Sequence, residues 1–271
     1  MNRFTASFTT SALALALAGP AVAADVEVLD LSGFSHGDIA SVQSINGVTI
    51  AADNFHNNLD LAVVFDTTAR NTADRDLEGV NASGQGSWDG GNLAGSAVNV
   101  GNVIIIQEQN RNTEIINNGT AVNIADDEGR RPAGELVFGF AEAITSFGFD
   151  LIDVEGTAEF TQGSGFFATF TDLTTTVSVA FRDLIDPSSA FYDRTVEFGD
   201  NSANRIQPIT AEQLGLESFS EVTINLGGSG AVGNINYTPD AGPPTAAPTP
   251  SAAIAGLGLM GLMGARRRRK A

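Results

Sequence analysis

Asp74-Arg75-Asp76-Leu77-Glu78-Gly79 sets acidic side chains at alternate positions ahead of a glycine. A hard cation needs such an arrangement, in which a turning loop supplies several oxygens at once. Counted from Asp74 as a calcium loop, the fifth position is Glu78 in place of Asp or Asn, and the twelfth is Gln85 in place of a bidentate glutamate. Asp66 could complete the shell by folding back. The stretch has two readings: a solvated acidic loop, or a Ca2+ loop held by Asp66, Asp74, Asp76 and Glu78. A bound ion would add its binding energy directly to folding, which suits a chain without a single cysteine.

Other constellations carry less. Asp150, Asp153 and Glu155 follow a Phe-rich strand and suggest the paired carboxylates of a glycoside hydrolase. Asp150 lies opposite Leu151 in the strand alternation, so solvent exposure accounts for it without catalysis. Trp88, Tyr192 and Tyr237 are the aromatic residues with a polar edge to offer a sugar, and Trp88 is the candidate ligand platform. The 17 phenylalanines fall mostly at strand-core spacing. His36 and His56 are the only histidines and share no metal-ligand spacing, and there is neither a G-x-S-x-G elbow nor a thiol. The residues point to a binding or structural protein more than to an enzyme.

The body that must position these groups reads as successive strands. Val222, Ile224 and Leu226 alternate with polar neighbours, as do Val177, Val179 and Phe181, and Phe147, Phe149 and Leu151. Further strands start near Val26, Gly47, Leu59, Ala97, Gly134 and Gly165, with Gly, Asn, Asp and Ser clusters between them. Val103 to Ile106 is the one continuous apolar run of the body and predicts a central strand covered on both faces. ITAEQLGLESF, from Ile209, predicts a short helix near 210–219 that is capped by Thr210 and links two strands. The expected fold is all-β: a single antiparallel β-sandwich of about ten strands, jelly-roll or lectin-like, over residues 25–238.

Charge separates the body from its ends. The whole chain carries −18, yet between the ends eight arginines and no lysine face all 32 acidic residues, a net charge of −24. Such a surface repels nucleic acid and anionic lipid, so nucleic-acid binding is excluded. Residues 1–24 read as a secretory signal peptide, with basic Arg3, an apolar stretch from Ala12 to Ala18 and small residues before Asp25. From 239 to 247 the chain turns into a Pro/Ala-rich spacer. Ser251 to Ala265 is an uncharged segment of about 22 Å as a helix, which barely spans a bilayer. GLGLMG within it matches a dinucleotide fingerprint by letter only, since the chain has ten residues left after it. Arg266, Arg267, Arg268, Arg269 and Lys270 resist translocation and would hold that end in the cytoplasm.

Pro248, Thr249, Pro250 and Ser251, then the Gly/Leu/Met run, then the basic cluster resemble the PEP-CTERM sorting signal of bacterial exported proteins. The family's middle residue is Glu, where this chain has Thr249. The resemblance implies that residues 248–271 are recognised by an exosortase, which cuts near the motif and releases the body from its inner-membrane helix to the cell surface or matrix. The body, in VVFDTTARNTADRDLEG and FGFDLIDVEG, is similar to all-β domains of such proteins whose activities are uncharacterised. The functional expectation is an exported, non-enzymatic surface or matrix protein. The alternative is a carbohydrate-binding β-sandwich with structural calcium, and a polysaccharide hydrolase stands behind both.

Overall fold

The apolar alternation of Gly134 to Phe140 and that of Phe147 to Leu151 belong to one strand of 19 residues, and the architecture hangs on it. The computed structural model describes residues 24–79, 86–95, 100–156, 159 and 167–242. In chain order its strands are β1 (Glu27–Val28), β2 (Ser44–Ile45), β3 (Val48–Asn54), β4 (Ala62–Asp66), β5 (Asn102–Ile106), β6 (Ile115–Ile116), β7 (Ala121–Val122), β8 (Gly134–Ile152), β9 (Ala168–Thr171), β10 (Thr176–Val179), β11 (Ala203–Thr210), β12 (Phe219–Leu226) and β13 (Ala231–Pro239). One short helix, α1 (Ala211–Leu214), joins β11 to β12. Eleven of the strands form a single hydrogen-bonded antiparallel sheet, and β6 with β7 forms a separate pair.

β8 folds that sheet into a sandwich. Its first part pairs with β3 on one side, Val48 opposite Phe140, and with β12 on the other, Val222 opposite Phe138. Its second part pairs with β11, Ile206 opposite Phe149, and with β13, Val232 opposite Leu151. One layer runs β10-β9-β12-β8-β3, and the other β11-β8-β13-β5-β4. Between the two parts Ala141 and Glu142 are exposed. The rings on the inner faces meet across the core: Phe138 and Phe147 lie 5.7 Å apart between centroids, Phe140 and Tyr237 5.0 Å, and Phe149 and Phe167 5.7 Å. Such tilted and edge-on pairs add to the area that the rings bury.

The two parts of β8 differ in cover. From Gly134 to Phe140 buried residues alternate with half-buried ones, but from Ser146 to Ile152 every residue is buried. Layer two is therefore covered on both faces. Its outer face carries a second core, in which Leu77, Trp88, Leu93 and Ala125 from the connecting loops and Val122 of β7 pack on Val63, Phe65, Val103 and Ile105. The apolar run Val103 to Ile106 is buried throughout and sits between β13 and β4, as its composition predicts. The expectation for Asp150 is overturned: it has no exposed surface and takes Arg205 Nε and Nη2 at 2.8 and 2.9 Å. Alternation assigned it to the free side of the strand, but here that side is a second interior.

Local signals hold where they are self-contained. Thr210 Oγ1 accepts from Gln213 N, the Gln213 side chain accepts from Thr210 N, and Gly215 at φ 71° ends the helix. The helix spans four residues, shorter than the 210–219 expected, because β12 already starts at Phe219. Among the described residues no helix is long and apolar enough to cross a membrane. The leader to residue 23, the spacer from 243 and the whole of 248–271 lie outside the described residues.

Phe147, in contact with Phe138, Phe140 and Phe149, joins both parts of β8. Phe147→Ala is expected to lower stability by about 3–5 kcal/mol, read as a fall in the urea midpoint at unchanged slope.

Candidate metal centre

The loop after β4 is shaped by its own short polar side chains. Gly79 N donates to Thr67 O at 2.7 Å, which closes the loop, and Leu77 pins it into the second core. Asp74 Oδ1 accepts from Asp76 N at 3.0 Å and Leu77 N at 3.3 Å, a turn that keeps the carboxylate on the loop's outer edge. Glu78 turns the other way: its Oε1 takes Thr72 N and Oγ1 at 2.8 and 2.9 Å.

Opposite lies Asp126-Asp127-Glu128, which runs beside the continuation of β5. Glu108 N donates to Asp126 O at 2.8 Å and Glu128 N to Ile106 O at 3.0 Å. This register turns Asp127 inward, where its Oδ2 accepts from Ser229 Oγ at 2.8 Å and Gly230 N at 2.5 Å, both in the turn between β12 and β13. Ser229 Oγ also stands 2.8 Å from Asp153 Oδ2. Asp153 directly follows β8, at φ 59°, and accepts from Asn201 N at 2.8 Å. One hydroxyl proton cannot serve two carboxylates, so Asp127 and Asp153 are both stable at this serine only when one of them carries a proton.

Asp74, Asp126 and Asp127 each offer a carboxylate oxygen within 4.8 Å of the others. They line an open groove of about 520 Å³ with Arg75, Asp76, Glu108 and Ser229. Among the described residues the ion pairs are Arg131 with Glu155 and Glu159, and Arg205 with Asp150, so none reaches the three aspartates. Burial, and then the neighbouring Asp74, push the Asp127 carboxyl well above its usual range. Asp126 is raised by burial and by Asp74, and Glu108 by burial and by Asp126. Burial pushes Asp153 up to about 6, against the hydrogen bonds from Ser229 and Asn201. It pushes Glu159 up to about 7, and Glu159 Oε2 is buried without a partner. Asp74, Asp126 and Asp127 would gain from a shared cation, and an all-oxygen set with no sulfur or imidazole suits a hard ion.

The expected residues are thus partly brought together. Asp74 and Asp76 line the groove. Asp66 accepts from Thr68 N and Oγ1 and lines a different depression with Asp30 and Asn102, while Glu78 is held by Thr72. Gly79 allows close approach: a Cβ there would lie 2.6 Å from Trp88 Cη2. Trp88, expected as a sugar platform, is 3% exposed, and its Nε1 donates to Asp76 O at 3.2 Å. It packs inward because the outer face of layer two needs a large apolar cover. Asp150, locked to Arg205, has no open face toward a substrate. Sequence reasoning missed Asp126, Asp127 and Ser229, although Asp126-Asp127-Glu128 is the only run of three acidic residues in the chain. Gln85, the processing motif and the basic cluster lie outside the described residues.

Comparison with protein-family models, curated proteins and solved structures returned no match.

The pH dependence follows from Asp153, whose carboxyl moves from 3.8 to about 6 on folding. The folded chain then keeps a proton that the unfolded chain has lost. This stabilisation is complete below pH 3.8 and is lost as pH rises to about 6. Without divalent ions, the melting temperature is expected to fall across that window, and Asp153→Asn should flatten the slope. An unchanged slope in the variant would contradict the assignment.

Proposed function

We propose that this chain is an exported, non-enzymatic protein of the cell surface or extracellular matrix, sorted by its C-terminal signal. One observation carries the reading: Pro248 to Ser251, an uncharged segment to Ala265 and the cluster Arg266 to Lys270 stand in that order behind a lysine-free acidic body. The fold is compatible, since two apolar cores bury the interior of a chain that has no cysteine to cross-link it. On this reading an exosortase-type enzyme cuts near Thr249, the helix stays in the inner membrane, and the acidic body stays dispersed by like charge. Mass spectrometry of surface material is expected to show a chain that ends near 247–251 and lacks Arg266 to Lys270. An intact basic end there would overturn the reading.

A second reading, a carbohydrate-binding sandwich with structural calcium, is favoured by the meeting of Asp74, Asp126 and Asp127, which form no ion pair among the described residues. Calcium would tie the loop after β4 to the segment beside β5, two pieces that otherwise repel. Ligand at one hundred times its dissociation constant stabilises by about 2.7 kcal/mol. For a domain of this size that is a rise of roughly 5–10 °C in melting temperature. Calcium added to chelator-treated protein at pH 7.5 is expected to produce that rise, and Asp126→Asn should remove most of it. Equal melting in calcium and chelator would end this reading.

A further inference from the structure

The far end of layer two carries a groove that none of the sequence motifs reaches. It encloses about 360 Å³ between the loop 184–196, β11 and α1. Ile206, Ile209 and Val196 form a buried apolar floor. On its rim stands Tyr192, 42% exposed, one of two aromatic side chains among the described residues that are open to this extent. Arg194 and Gln207 flank it, both exposed, and neither side chain makes a hydrogen bond or ion pair among the described residues.

The walls are preformed. Asp193 N donates to Leu184 O at 2.7 Å and Val196 N to Asp193 O at 3.2 Å, and Asp193 Oδ1 takes Thr195 N and Oγ1. Gln213 Nε2 reaches Ala190 O at 3.4 Å and ties α1 to the same loop. An exposed phenol ring, an apolar floor and two planar polar groups lining one concave groove are features that ligand sites share.

The choice of ligand follows from what the groove offers and denies. A peptide would bind by adding a strand to the free edge of β11. That edge is closed: Asn92 Oδ1 accepts from Arg205 N at 2.6 Å and its Nδ2 donates to Arg205 O at 3.0 Å, and Pro208 has no N–H, inside a bulge between Ile206 and Ile209. A body charge of −24 disfavours nucleic acid. A pyranose ring matches what remains. Its C–H face stacks on an aromatic ring, and its neighbouring hydroxyls meet the paired donors of a guanidinium or the donor and acceptor of a carboxamide.

We propose that this groove binds a hexopyranose unit of an extracellular polysaccharide, stacked on Tyr192 and hydrogen-bonded by Arg194 and Gln207. The proposal rests on the carbohydrate-binding reading and moves its site from Trp88 to the other end of layer two. The test is affinity electrophoresis and calorimetry of the full chain against a neutral glucan and a polyuronate. Wild type is expected to bind one of them, and Tyr192→Ala to lose at least tenfold in affinity at unchanged melting temperature, because the side chain is exposed. Arg194→Gln should weaken a polyuronate more than a neutral glucan. Repeating the titration in chelator should leave affinity unchanged, because none of the three aspartates lines this groove, so that failure of the calcium reading remains separate from failure of this one. Binding of neither polymer, or equal binding by Tyr192→Ala, would overturn the proposal. So would capture of an extended peptide in place of glycan.

Discussion

A single strand shared by both layers is the constraint on which the structure depends. Because β8 pairs with β3 and β12 along its first part and with β11 and β13 along its second, the two layers cannot slide independently. The inner rings then fix their separation, with Phe147 touching Phe138, Phe140 and Phe149. The cost is a strand whose second part has no free face. Asp150 is the result: a carboxylate buried inside the protein, tolerable only because Arg205 meets it through two hydrogen bonds.

The need to cover layer two positions the acidic groove. Leu77 and Trp88 are drawn into the outer core, and the backbone between them must follow. Asp74 and Asp76, three residues and one residue before Leu77, are thereby set beside the segment that carries Asp126 and Asp127. Coulomb repulsion alone would drive such groups apart, since two like charges 4 Å apart repel by about 4 kcal/mol at an effective dielectric of 20. Hydrophobic burial of a tryptophan and a leucine contributes a comparable amount in the opposite sense, about 1.5–3 kcal/mol for each large side chain. Burial first, and then the neighbouring carboxylates, raise Asp127, Asp126 and Glu108 in the same direction.

The two ends of layer two thus differ in character. At one, carboxylates crowd around a serine that can satisfy only one of them at a time. At the other, Tyr192 and Arg194 line a groove with an apolar floor.

Much of the fold was legible in the sequence. Period-2 alternation marked β12 and the second part of β8, strand-forming runs from Gly47 and Gly134 marked β3 and the first part of β8, the run Val103 to Ile106 marked a strand buried on both faces, and Thr210 with Gln213 marked the start of α1. These are signals within a few residues, and local geometry alone enforces them. The acidic, lysine-free body and the tail were likewise plain from composition. Only the tertiary structure decided that Asp150 is buried, that Trp88 faces inward and that Asp74 meets Asp126 and Asp127 in place of Asp66 and Glu78. Alternation states which residues share a face, but not what will cover it. The cover comes from loops far away in the chain, and the groups that share a site were gathered by that long-range packing.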